Sequence, residues 1–101
     1  MELQSLTNGI EKVSEKYAAE FSITRDTNWF ILKLQEELGE LTQAYLMASG
    51  QARRKNKSDL ELTKNLHAEV ADVLCHTLLL AKQLNVDLEA EIEEKWLSRI
   101  K

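Results

Sequence analysis

Asn28-Trp-Phe-Ile-Leu-Lys-Leu-Gln-Glu-Glu-Leu-Gly-Glu-Leu-Thr-Gln-Ala-Tyr-Leu-Met-Ala-Ser49 is the stretch from which the rest of the chain can be read. Phe30, Leu34, Leu38, Leu41, Tyr45 and Ala48 recur at spacings of three and four, the period of a helix with an apolar stripe. Ile31, Leu32 and Leu46 add a second apolar sector, and Lys33, Glu36, Glu37, Glu40 and Gln43 fill the polar remainder. A helix that is apolar over more than half its circumference packs against several neighbours. Its charges then lie in a cleft or seam and not on an open solvent face. Gly39 costs about 1 kcal/mol relative to alanine in a helix. Close approach of another helix is one reason to tolerate it.

Within this helix Glu37 and Glu40 stand i, i+3, about 60° apart on one face. Glu69 and Asp72 repeat the relation further along the chain. Two helices can thus present four carboxylates to each other. Four clustered negative charges are unfavourable unless a cation or protons neutralise them. Oxygen-only ligands point to Mg²⁺, or Mn²⁺ in its place, and not to zinc. The plain alternative is a solvated face carrying i, i+4 ion pairs. Two features weigh against it. The flanks of these acids are almost all apolar, and Lys33 is the only nearby in-helix counter-charge once Glu36 joins the acids.

Working outward, Leu3, Leu6, Ile10, Val13 and Tyr17 predict an amphipathic first helix over 2–20. Phe21 to Asn28 reads as a connection in which Thr24, Asp26 and Thr27 are all plausible N-caps. Gly50 is a natural helix stop. Residues 50–57 form the only charge run, read either as a solvated mobile loop or as a basic flap that reaches anionic phosphates. Ser58-Asp-Leu-Glu61 matches a capping box and opens a helix over 58–84. Leu66, Val70, Val73, Leu74, Thr77, Leu78 and Ala81 are its core-type positions. A polar stripe of Asn65, Glu69, Asp72 and His76 crosses this apolar helix, where polar side chains are costly without partners. Asp87 caps a last helix over 88–100, with Leu88, Ile92, Trp96 and Ile100 on one side and Lys95 and Arg99 beside them.

The expected fold class is therefore all-α: one domain over 1–101, four helices, with its core completed by forming a dimer or tetramer. The 101 residues contain no proline and three glycines, so long helices meet few interruptions. A net charge of −4 gives no support for nucleic-acid binding. No run approaches the roughly 18 apolar residues of a membrane span. The start of the chain lacks the basic and apolar segments of a signal peptide, and the single Cys75 fits a reducing compartment, so the expected location is cytoplasmic.

Other side chains carry less signal. His76, one turn beyond Asp72, reads either as a packed or capped histidine, the commoner role of a lone histidine, or from its stripe position as a substrate contact more than a metal ligand. His67 lies off the stripe, and Cys75 reads as an inert core thiol. Trp29 and Trp96 at helix ends pack, or alternatively stack on a nucleobase.

Glu36-Glu37-Leu-Gly-Glu40, a 28-residue spacer and Glu69-Val-Ala-Asp72 together resemble the EExxE…ExxD signature of the MazG-like all-α nucleoside triphosphate pyrophosphohydrolases. Lys33, Val73-Leu74 and the run from Asn85-Val-Asp-Leu88 to Ile92-Glu-Glu-Lys95 extend the likeness over residues 29–99. The resemblance implies a helical bundle, commonly dimeric or tetrameric, that cleaves a nucleoside triphosphate to the monophosphate and pyrophosphate, with nucleotide-pool house-cleaning as its role. It implies Glu37, Glu40, Glu69 and Asp72 as Mg²⁺ ligands and Glu36 as an additional catalytic acid that binds a further metal or orients water. It implies Lys33 and Lys95 near the phosphates and His76 near the sugar or base. Arg99 stands where relatives often carry asparagine, so the base preference is not carried over.

Phosphoribosyl-ATP pyrophosphohydrolases share the Lys-x-x-Glu-Glu-x-x-Glu arrangement and an Asp-x-x-x-His pattern that Asp72 and His76 match. The long spacer and the Asp87-to-Lys95 tail resemble the MazG-like pattern more closely. A helical interaction protein without activity is the alternative of a different class.

Overall fold

The computed structural model describes residues 2–101, all of whose regular structure is helical. Helix α1 spans Leu3–Glu20, α2 Thr27–Ala48, α3 Asp59–Gln83 and α4 Leu88–Lys95, and a 3₁₀ turn follows over Leu97–Ile100. Among the described residues no helix is long and apolar enough to cross a membrane.

The helix ends follow from local chemistry. Of the three cap candidates before α2, Asp26 is used: its side chain accepts from the Trp29 amide at 2.8 Å. Ser58 and Glu61 form the reciprocal capping box of α3, and Asp87 accepts from the Ala90 amide to open α4. The three long helices all stop in the same way. Ser22, Gly50 and Asn85 adopt φ of 54°, 81° and 56°. In each case the next amide reaches back to the sixth carbonyl, as in Ile23 N to Ala18 O, Gln51 N to Leu46 O and Val86 N to Ala81 O, each at 2.8 Å.

The last helix is shorter than its periodicity predicts. It ends at Lys95, and Arg99 N turns to the Trp96 carbonyl to make a tighter turn. The Ser98 hydroxyl donates to the Glu94 carbonyl at 2.5 Å, competing with the helical ladder at that point. No residue of α4 is buried, so packing does not restore the α-helical form.

Helices α2 and α3 make an antiparallel hairpin, the principal packing of the fold. Gln83 at the end of α3 reaches Thr27 at the start of α2, while Ala44 and Met47 near the end of α2 line a hollow with Asn65 of α3. Helix α1 packs more lightly on α3, and α4 shares no extensive face with the other three. The core consists of Phe30, Ala44, Met47, Leu62, Leu78, Leu79, Ala81 and Ala18. Complete burial of Leu62 and of Leu78 contributes about 1.5–3 kcal/mol each. Arg25, in the α1–α2 connection, ties back to α1 through Glu11 (2.5 Å) and Ser14 (3.0 Å), and lies over the Phe30 ring.

Which faces are buried differs from the apolar count. On α2 the seam runs through Phe30, Glu37 and Ala44, spaced by seven, together with Met47, while Leu38 and Tyr45 of the expected stripe are exposed. On α3, Leu62 and Leu79 are buried, but Val70 (53% exposed) and Leu74 (52%) face outward. Val13 and Tyr17 of α1 are exposed too. The cause is geometric: α2 and α3 each carry more than one apolar sector, and one hairpin partner covers only one. Nothing lies within 4 Å of where a Cβ would project from Gly39, so no helix of this chain approaches it closely. The radius of gyration is 16.2 Å, against about 13 Å for a compact chain of this length.

Candidate metal centre

The α2–α3 seam brings the acidic residues of the two motifs together. Carboxylate oxygens of Glu36, Glu37 and Glu40 lie within 4.8 Å of one another, and so do those of Glu37, Glu69 and Asp72. Glu37 belongs to both groups and is the one buried acid, 7% exposed, with Phe30 one heptad before it and Ala44 one heptad after. Glu69 is half-buried; Glu36, Glu40 and Asp72 are open to solvent.

Electrostatics makes this cluster costly as it stands. Burial, and then the adjacent Glu40 and the Asp72 charge, push the Glu37 carboxyl up to about 7; Lys33 offsets this only in part. Burial also raises Glu69, with Glu40 and Asp72 adding to it. Glu37 Oε2 and Glu69 Oε2 are buried and accept no hydrogen bond from any described residue. Buried acceptors without donors are rare in folded proteins. Two such oxygens amid clustered carboxylates match the donor set of a hard divalent cation.

The other candidate residues fall into two sets. Lys33 and His76 are beside the carboxylates. Lys33 donates to Glu36 at 2.6 Å, which raises the lysine and holds Glu36 below the usual carboxylate range. His76 Nε2 is 3.5 Å from Glu37 Oε1, too long for a good hydrogen bond. Burial lowers the imidazole, followed by the Lys33 charge, so the contact is not an ion pair near neutral pH. The second set is remote. Trp29 packs edge-on against Phe30, about 12 Å along the helix axis from Glu37. Lys95 and Arg99 are exposed, and the single chain does not bring them to the acids; the Arg99 guanidinium lies over its neighbour Trp96. His67 is exposed. Cys75 is half-buried and burial pushes its thiol up, which leaves it protonated and unreactive.

The connection between α2 and α3 is an ordered turn and not a loose loop. Lys57 N donates to Arg54 O at 3.1 Å, and both central residues, Lys55 and Asn56, have positive φ (55° and 63°). This is the pattern of a type I′ turn. The Arg54 guanidinium clamps it by donating to the Lys57 carbonyl and pairing with Asp59. Lys55 and Lys57 thereby line a hollow of about 290 Å³ whose other walls include Glu40 and Glu69. In the sequence these lysines belong to the charge run that reads either as a solvated mobile loop or as a basic flap. The one local clue was Asn56, a residue type that tolerates the left-handed region. A larger hollow of about 590 Å³ lies between the starts of α1 and α4 and the end of α3, and none of the clustered carboxylates lines it.

Comparison of the chain with models of known families, with curated proteins and with solved structures finds no match.

Proposed function

We propose that the chain is a Mg²⁺-dependent nucleoside triphosphate pyrophosphohydrolase of the MazG-like type, converting a (d)NTP to the (d)NMP and pyrophosphate. The observation that carries this reading is Glu37. It is a buried carboxylate with an unpartnered oxygen, set in the packed seam between two helices and surrounded by Glu40, Glu69 and Asp72. A seam position of this kind is destabilising unless a cation occupies the cluster. The order and spacing of the acids, which resemble the family signature, supply the reaction class.

Glu37, Glu40, Glu69 and Asp72 would hold the cation. Bound there, Mg²⁺, with Mn²⁺ as a substitute, would supply charge neutralisation of the triphosphate and Lewis-acid polarisation of the phosphoryl group under attack. Glu36, kept ionised by Lys33, accepts a hydrogen bond from the attacking water and orients it. The water oxygen bonds to the α-phosphorus, the α–β phosphoanhydride bond breaks, and pyrophosphate leaves with the electron pair. The water proton passes to a carboxylate of the Glu36–Glu37–Glu40 group. His76, next to Glu37, would contact the sugar or base, as the resemblance implies.

We also infer that a second copy of the chain completes the core, as a dimer or a tetramer. Support comes from exposed Leu38 and Tyr45 on α2 and exposed Val70 and Leu74 on α3, and from a radius of gyration well above that of a compact chain.

The test compares wild type with Glu40→Gln and Asp72→Asn. Both variants keep the helical circular dichroism spectrum and lose Mg²⁺-dependent pyrophosphate release. Full release by either variant overturns the assignment. Running phosphoribosyl-ATP beside the (d)NTPs separates the two pyrophosphohydrolase readings: preferential turnover of phosphoribosyl-ATP favours the alternative that the Asp72–His76 spacing supports.

A further inference from the structure

We propose that Lys55 and Lys57 form the seat for the β- and γ-phosphates of the substrate, so that the leaving pyrophosphate points toward the α2–α3 turn. This rests on the pyrophosphohydrolase reading and gives it a direction. The hollow beside the turn is lined by charges of both signs: Glu40 and Glu69 from the two helices, and Lys55 and Lys57 from the turn that joins them. None of these four side chains is in an ion pair with any described residue. Unpaired charges of both signs in one hollow complement a ligand that itself carries both, and a cation bound to a polyphosphate is such a ligand. The acidic part of the lining is continuous with the metal centre, because Glu40 and Glu69 each belong to one of its carboxylate groups and Glu69 contributes an unpartnered buried oxygen. Gln43 and Asn65, also in the lining, add neutral donors for phosphate oxygens.

The turn is built to hold the lysines in place. Its own hydrogen bond and the Arg54 clamp fix the backbone, so the ammonium groups do not have to be gathered from a mobile loop when the ligand binds. The order along the antiparallel seam is then Lys55 and Lys57, the carboxylates, and His76 with Lys33 beside it, which sets Lys33 at the nucleoside end and not at the terminal phosphates, whereas the resemblance implied it near the phosphates. A nucleoside triphosphate laid along it places its terminal phosphates at the lysines and its nucleoside beyond the carboxylates. The α-phosphorus falls at the metal centre between them.

The test is calorimetric titration of the full chain with inorganic pyrophosphate in Mg²⁺, and separately with a nucleoside monophosphate. Wild type is compared with Lys55→Asn, Lys57→Gln, the double variant, and Lys64→Gln, an exposed α3 lysine outside the hollow. Asparagine is chosen at position 55 because it tolerates the positive φ, and helical circular dichroism checks each fold. The expected result is at least a tenfold loss of pyrophosphate affinity in the double variant, an unchanged monophosphate affinity and no effect of Lys64→Gln. Mn²⁺ affinity, read by electron paramagnetic resonance, stays equal or increases in the double variant. Unchanged pyrophosphate affinity, or no pyrophosphate binding by wild type, overturns the seat. An equal loss for pyrophosphate and monophosphate overturns the direction. Loss of Mn²⁺ binding would show that the lysines serve only to organise the carboxylates. The enzymatic reading fails separately, if wild type releases no pyrophosphate from any nucleotide while still binding pyrophosphate through these lysines.

Discussion

Replacing Glu37 with glutamine should make the metal-free protein more stable while removing its response to metal. The carboxyl sits at about 7 in the fold against an ordinary 4.5. At pH 8 it is ionised both folded and unfolded, and the full cost of holding that charge in the seam falls on the folded state. The gap between the two values, at about 1.4 kcal/mol per pH unit, amounts to roughly 3 kcal/mol. Glu40 and Asp72 are exposed, and solvent screens part of their repulsion, so a gain of about 1–3 kcal/mol is expected from the neutral amide. The amide also supplies N–H donors to the neighbouring carboxylates. For a chain of this length 1 kcal/mol shifts Tm by about 4–8 °C. The assay is thermal unfolding at pH 8 in EDTA and again with saturating Mg²⁺. Wild type gains about 2.7 kcal/mol at a Mg²⁺ concentration one hundred times its Kd, and Glu37→Gln gains little. A variant less stable than wild type in EDTA would refute the buried-charge argument. An equal Mg²⁺ response in both proteins would remove Glu37 from the metal centre.

The same electrostatics gives a pH dependence with a defined sign. Raised carboxyls such as Glu37 and Glu69 bind protons more tightly when folded, so metal-free stability falls as pH rises from 4.5 toward 7 and stays low above it. His76 is lowered and acts in the opposite sense as pH falls through 6.5, where half of the unfolded imidazole is already protonated, so the clean window is pH 8 to 7. Metal-free Tm should rise across that window by about 2 °C, for a gain of roughly 0.4 kcal/mol, and Mg²⁺ should flatten the trend. Ser22→Gly should stabilise the chain by about 1 kcal/mol in chemical denaturation, since serine stands at a left-handed helix stop. Gly39→Ala should do the same, because its Cβ meets open space within a helix. Leu74→Asp, on the exposed face of α3, should shift sedimentation equilibrium toward the monomer while the metal-free helical spectrum is kept. A monomeric wild type would overturn the inferred subunit contact, and an oligomer of unchanged mass would move it off this face.

Much of this was legible in the sequence for local reasons. Ser58-Asp-Leu-Glu61 and Gly50 mark boundaries through hydrogen bonds made within a few residues, and they occur where expected. The facing of the two acidic motifs followed from the i, i+3 spacing in two helices joined by one turn. The buried face was not legible. Phe30, Glu37 and Ala44 share a heptad face, yet apolar counting favours Leu38 and Tyr45, because periodicity ranks sectors by hydrophobicity and does not know which one meets α3. Two sequence signals competed at the end of α4. Ile92 and Trp96 continued the helical period, while Ser98 had the means to break it by bonding to the Glu94 carbonyl. The placement of Lys55 and Lys57 depended on two consecutive left-handed residues, and lysine gives no hint of that conformation.

Phosphorus NMR of a (d)NTP panel incubated with the full chain and Mg²⁺ most directly tests whether the carboxylate seam is an active centre. A pyrophosphohydrolase gives monophosphate and pyrophosphate signals growing in equal amounts from at least one nucleotide, stopped by EDTA and absent in Asp72→Asn. Intact triphosphate across the whole panel with both Mg²⁺ and Mn²⁺, or orthophosphate with a diphosphate as the products, would contradict it.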